Sequence, residues 1–474
     1  MPTQQNGPIR HFPDTFGGAL LHPGTPEYAA SRSIFNQHTS HAVPALIARA
    51  ADQPDVLALT RYAAESGTPL AVRAGGHGVD GYAMPDGALV VDLSELKTIE
   101  LDTAAETVRL GAGVLLGEMD AALAARGLVV PAGTVSTTGV AGLTLGGGVG
   151  YHMRAYGATV DNLLSCEVAT LDGRLVRASE HENPELFWAL RGGGGNFGVV
   201  TSFEFRTRPV REAVTAGFIP FPLSHAREVL EGWRQFMTSA PRELSVIAAV
   251  TQCPRLPSVP EEYHDSEVVL LVMVHTGDPA RAAPLTAALA ALGPAITQAV
   301  QQVPWPKANS MLDAIAPPGR RSVTKGGYLS ELTDEALEII LRHAAARPPI
   351  AAPGQPGTVQ NIWAMGGAIS EDFAEDSVAF SREGANWFWE TVTQWDEPED
   401  SPVHLAWADT LHTELKPHLR DNCYINLSTD LGPEWRRHAW GSPGKYERLQ
   451  QAKAEWDPLN LLRFNKNIEP GPAT

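Results

Sequence analysis

Three glycine-rich segments lie between Gly75 and Gly198, and they constrain this chain more than any other feature. They are Gly75-Gly76-His77-Gly78, the stretch from Gly133 to Gly150, and Gly192 to Gly198. Backbone without Cβ can approach a ligand closely and can take up positive φ, so repeated clusters beside strands imply a large ligand lying along main chain. Around them the pattern is mixed. HAVPALIARA reads as a strand, Asp52 to Ser66 has helical spacing with an Asp start and a Gly67 stop, and TPLAVRA reads as a strand again, running straight into the first glycine cluster. GALVVDL and TVRLGAGV continue as strands, LGEMDAALAARG as a helix, and VVTSFEFRT alternates as a strand after the third cluster. A leader containing Pro and Gly precedes all of this.

A formal GxGxxG occurs at Gly193–Gly198, but it follows the helix-like ENPELFWALRG and opens a strand. A dinucleotide fingerprint needs the opposite order, which argues against a nicotinamide site. No Walker A sequence, HExxH pair or GxSxG elbow is present, and no C-x-x-C pairing, so neither phosphoryl transfer, hydrolase chemistry nor a metal site is expected. The 474 residues exceed one ordinary core. The glycine clusters stop near Pro209, and beyond it β-rich runs such as SEVVLLVMVHTG mix with helices, among them Thr333 to Ala346 with Thr333 as N-cap. Expected units are therefore 1–210, 211–420 and a C-terminal segment, 421–474; the Pro/Gly-rich 352–357 is read as a loop.

The formal charge of −18 disfavours nucleic acid and anionic membranes as partners. Three widely spaced cysteines, no basic-plus-apolar leader and no stretch of membrane-spanning length lead to the expectation of a reduced, cytoplasmic protein. The sequence carries no signal for oligomeric state.

RAGGHG at 73–78, PAGTVSTTGVAGLTLGGGVG at 131–150, RGGGGNFGVV at 191–200 and WDPLNLLRFNKNI at 456–468 together resemble the berberine bridge enzyme-like FAD-linked oxidases of the vanillyl alcohol oxidase and p-cresol methylhydroxylase superfamily. The resemblance implies an α+β fold: a two-part FAD-binding domain of the vanillyl alcohol oxidase type and a substrate domain built on an antiparallel sheet backed by helices. It implies that Arg73, Ala74, Gly75, Gly76 and Gly78 wrap FAD, with His77 bonded covalently to it. Val135, Thr138, Gly139, Gly142, Gly146, Gly147 and Gly150 follow from the second cluster. Asn162, Asn196, Gly198, Val200 and Asn465 match positions near the flavin. Family members often carry a second link from a cysteine at the position of Val135, so a single attachment is expected here. Thr138 stands where a Val-sized residue often accompanies reaction with O₂.

NCYINLSTD resembles the family's Y-x-N-Y-x-D element, with Tyr424 and Asn426 matching and Leu427 replacing the second Tyr, which often serves as general base. Leucine cannot accept a proton, and Tyr424, the remaining candidate, needs a depressed pKa to act. On the middle segment, alternation puts Asn361, Trp363 and Met365 on one strand face as substrate contacts, with Tyr328 as a further lining residue and Asn361 as an orienting group. The implied reaction is hydride transfer from a small organic molecule, aromatic or polyketide-like, to covalent FAD, with O₂ as electron acceptor. An oxygenase, a dehydrogenase using another acceptor, and a flavoprotein retained for binding remain the alternatives.

Overall fold

The computed structural model describes residues 12, 16–349, 354–355 and 357–472. Residues 1–11 and 13–15 of the leader and residues 352, 353 and 356 of the Pro/Gly-rich segment lie outside the described residues. The helix Gln53–Ser66 forms where the spacing predicts it: Asp52 accepts from the Asp55 N–H at its start, Gly67 takes φ 67° at its end, and Val56, Leu59 and Ala63 are its buried stripe. It connects Leu46–Arg49 to Leu70–Arg73, and both strands pair in parallel with Leu89–Asp92 between them. The first glycine cluster thus leaves the C-terminal end of a parallel strand, where open α/β sheets bind ligands. A second sheet is antiparallel, in the order Ile99–Asp102, Thr107–Gly111, Val199–Arg206, Leu163–Ala169, Leu175–Ser179. Pro184–Leu190 is the helix before the third cluster, so that cluster does open a strand.

Seven further strands among the described residues make one antiparallel sheet, ordered Ala299–Val303, Val214–Pro222, Glu267–His275, Leu244–Gln252, Val359–Ala364, Trp387–Trp395, Arg321–Leu329. One face packs on the helices Ala226–Met237, Asp334–Ala345 and Ser401–Leu415 through Trp233, Leu337, Ile340 and Leu411. The other face carries Ile247, Trp363 and Phe388 into a cluster with Val149, Tyr151 and Tyr424. The sheet is therefore apolar on both faces, and the glycine-rich part of the chain covers the one the helices leave free.

The C-terminal segment returns to the first core, where Leu449, Leu461, Leu462 and Ile468 are buried with Leu70, Val199 and Phe203. Lys453 pins this return. Its ammonium is fully buried against Asp457 at 2.6 Å and also donates to the carbonyls of Asn196 and Leu462 at 2.9 and 3.0 Å, the extra partners a buried ion pair needs. The third glycine cluster is held in place by this contact. Among the described residues no helix is long and apolar enough to cross a membrane.

Candidate active site

A cavity of about 430 Å³ lies where the three glycine clusters, the C-terminal return and the free face of the large sheet meet. One side is backbone. Gly78, Gly142 and Gly195 line it, and a Cβ built on any of them meets no atom within 4 Å, so their main chain faces open space. Gly75 and Gly139 serve a different purpose: a Cβ on Gly75 would stand 2.3 Å from the Gly139 nitrogen, so the first two clusters touch only because both lack side chains.

His77 projects from this backbone wall. Its ring stacks on Phe35 with centroids 4.3 Å apart, Nε2 is 2.8 Å from the Thr137 hydroxyl, and Nδ1 is 3.4 Å from that of Thr138. Burial pushes the imidazole down to about 4, against a smaller opposing pull from Asp313, so the ring is neutral at neutral pH and keeps one nitrogen lone pair. Val135 and Thr138 line the cavity beside it.

The opposite wall is the strands of the large sheet. Asn361 and Glu390 are cross-strand partners, and the Asn361 amide and the Trp363 indole both donate to Glu390 Oε1, each at 3.1 Å. Glu390 Oε2 is buried and has no hydrogen-bond partner among the described residues. Burial raises this carboxyl from an ordinary 4.5 to about 7, the two donors holding it lower than burial alone would. A buried acid poised near neutrality, with one oxygen free, is what general-base catalysis requires. Val392 and Gln394 continue the same face, and Leu312, Ile315 and Ala316 close it from the segment before Arg321. Tyr424 lines the cavity, but burial pushes its phenol up to about 12, and its oxygen accepts from the Asn426 amide at 3.1 Å.

Comparison with known proteins agrees with this plan. Residues 44–179 match the FAD binding domain family and 423–469 the berberine and berberine-like family. An FAD-linked oxidoreductase of Dictyostelium discoideum is 27% identical over 98% of this chain and 97% of its own. The crystal structure of 6-hydroxy-D-nicotine oxidase from Arthrobacter nicotinovorans superposes with a TM-score of 0.82, at 26% identity over 96% of this chain and 99% of that one. The chain belongs to the berberine bridge enzyme-like FAD-dependent oxidoreductases. Physcomitrella patens BBE-like 1 shares the fold, with a TM-score of 0.84 at 22% identity over 96% of this chain and 97% of that one.

For a berberine-like flavoprotein the backbone wall fits its cofactor: three glycines face open space, and the buried Asn465 Oδ1, at the cavity, lacks a partner among the described residues. The sequence-predicted residues Ala74, Gly75, Gly76, His77, Gly78, Val135, Thr138, Gly139 and Gly142 come together there. So do Asn196, Gly198, Val200, Tyr424, Asn426, Leu427 and Asn465, with Asn361 and Trp363 opposite.

Seven expected residues are elsewhere. Arg73 turns from the cavity to pair with Asp92 at 3.1 Å. Gly146, Gly147 and Gly150 are needed for packing, since a Cβ on each would meet Asn426, Phe380 or the Ala132 carbonyl at 2.1, 2.5 and 1.8 Å. Asn162 is buried in its own turn, donating to the carbonyls of Tyr156 and Ala158 and accepting from Arg208. Tyr328 is fully buried, its hydroxyl donating to the Ser381 carbonyl at 3.1 Å. Met365, one residue beyond the strand end at Ala364, keeps the same face as Trp363 but packs in the core there and does not line the cavity. Glu390 is the residue that sequence reading missed; a lone carboxylate inside the aromatic run WFWETVTQW was the available signal. Among the described residues no cluster of His, Cys, Asp or Glu could hold a metal ion.

Proposed function

We propose that this protein oxidises a small, mostly apolar organic molecule bearing a hydroxyl or N–H group, using FAD attached once, through His77, and O₂ as electron acceptor. When bound, FAD supplies the redox chemistry, taking up a hydride and giving its electrons to O₂. Ala74 to Gly78, Gly139, Gly142 and Gly195 hold it along the backbone wall, with Asn196, Asn426 and Asn465 at its edges.

The observation carrying the proposal is the buried Oε2 of Glu390, without a partner among the described residues, on a residue that lines the same cavity as His77. Glu390 Oε2 accepts the proton of the substrate's O–H or N–H, while Asn361 and Trp363 hold Oε1 and so aim the carboxylate. Leu427, Val392 and Ile315 exclude water and favour an apolar substrate body. This assignment replaces Tyr424 as the base, because burial moves the phenol in the wrong direction for a proton acceptor at neutral pH. Position 135 offers no thiol, and Cys166 is buried in the strand Leu163–Ala169, which supports a single attachment. Thr138, beside His77, leaves room for O₂. The test is anaerobic reduction of the bound flavin by candidate substrates: rapid bleaching in wild type and its loss in Glu390→Gln support the reading, and equal rates in both oppose it.

A further inference from the structure

His77 is held on three sides, and of the two threonines at its nitrogens only Thr138 lines the cavity. Phe35 covers a ring face at 4.3 Å. Nε2 is 2.8 Å from the Thr137 hydroxyl, and Thr137 is exposed to solvent and does not line the cavity. Nδ1 points to Thr138, which does line it, at a longer 3.4 Å. The backbone that carries both threonines is itself clamped: the Ser136 N–H and hydroxyl donate to the two Asp313 carboxylate oxygens at 2.8 and 2.5 Å, across from the large-sheet side.

We propose that Thr137 is a positioning residue for covalent flavin attachment, holding the His77 ring by Nε2 so that Nδ1, on the side of the cavity-lining Thr138, is presented to the flavin. This rests on the attachment proposed above. In the bond-forming reaction Nδ1 donates its electron pair to the 8α carbon of the flavin, and a C–H bond of that methyl group breaks with loss of a proton. The alkylated ring is then an imidazolium, and Nε2 releases its proton through the Thr137 hydroxyl to water. Two electrons stay on the flavin and are removed by O₂, which takes up the equivalent of both protons as H₂O₂. Atoms and charge balance, and the chain's own contributions are one lone pair and one proton exit.

The neutral ring that burial imposes keeps a lone pair available at neutral pH. An imidazole free of Thr137 can flip about its last side-chain torsion, which is soft and roughly two-fold, and the flipped ring carries Nδ1 off the Thr138 side. Losing one well-formed hydrogen bond of this kind corresponds to about a tenfold effect.

The experiment follows covalent incorporation, not turnover. Full-length wild type, Thr137→Val and Thr137→Ser are incubated with FAD in air, and flavin retained after acid precipitation is followed with time, alongside total bound flavin before precipitation. Wild type and Thr137→Ser should incorporate at similar rates, and Thr137→Val about tenfold more slowly with unchanged total binding. Thr137→Val incorporating at the wild-type rate overturns the role of Thr137 while leaving the attachment intact. If wild type itself retains no flavin, the attachment falls and this inference with it. Should Thr137→Val lose total binding, the comparison of Thr137→Ser with Thr137→Ala decides, and equal slow rates in those two also overturn the proposal.

Discussion

Replacing Glu390 by Gln keeps the shape of the side chain and its amide-compatible contacts but removes the proton acceptor. A positioned base contributes about 10²–10⁴-fold to such a step, so anaerobic flavin reduction by a true substrate should slow by that factor. The pH dependence is sharper evidence. With a carboxyl raised to about 7 by burial, roughly one molecule in a hundred is ionised at pH 5, so the wild-type rate should climb about tenfold per pH unit up to 7 and then level off. Glu390→Gln should show no such rise. Stability responds with the opposite sign. Because the folded value lies above the unfolded 4.5, the unfolded chain binds fewer protons between pH 4.5 and 7, and the wild type loses stability across that window. The size, at about 1.4 kcal/mol per pH unit of difference, is about 3 kcal/mol. Glu390→Gln lacks this loss, so denaturant titrations should find it gaining on wild type from pH 4 to pH 8. Stopped-flow reduction at a wild-type rate with the same midpoint near 7 would refute the assignment.

The remaining expectations concern residues on the flavin side. His77→Ala should release all its flavin on acid precipitation, whereas the wild type keeps it, with flavin mass found only on the peptide containing His77. Thr138→Ile should slow reoxidation by O₂ several-fold more than anaerobic reduction; equal losses in both half-reactions would indicate a packing role. Tyr424→Phe should leave the midpoint of the reduction profile near 7, since the phenol is held protonated well above that range, and a shifted or lost midpoint would return the proton to Tyr424.

The sequence was most informative where one physical requirement dominates. Asp52, the buried spacing Val56–Leu59–Ala63 and Gly67 each mark the helix for an independent reason, and the structure agrees at both ends. His77, which lines the cavity, was legible only through the resemblance: a lone histidine beside glycines reads as a loop residue until the other motifs stand in register with it. The second cluster misled because glycine answers two needs that look alike in sequence. Gly142 leaves room for a ligand, but Gly146, Gly147 and Gly150 leave room for Asn426, Phe380 and a carbonyl of the chain itself. Alternation put Asn361, Trp363 and Met365 on one face; Asn361 and Trp363 line the cavity, whereas Met365, past the strand end, is covered by core packing, which alternation does not display. Tyr328 was read as a lining residue and Tyr424 as the candidate base, and burial, which sequence does not display, takes the first out of the cavity and raises the phenol of the second. Glu390 needed register: only the pairing of Asn361 with it shows that this acid faces the same side as the residues already singled out.

That pairing also explains why replacement of the family's usual second Tyr by Leu427 need not remove the proton step. Leu427 belongs to the C-terminal return, whereas Glu390, Asn361 and Trp363 belong to adjacent strands of the large sheet. The acceptor therefore stands on the element that also shapes the substrate cavity, and an apolar residue at 427 deprives that acid of a polar neighbour that could stabilise its charge. With no cation among its partners, the carboxyl depends on two neutral donors, and the balance between their pull and the cost of burial sets it near 7. Substitutions along Val359–Ala364 and Trp387–Trp395 should then alter substrate choice and proton affinity together, while the glycine-lined wall, built from backbone, stays the same. A fold arranged this way can change what it oxidises without rebuilding where it holds its cofactor.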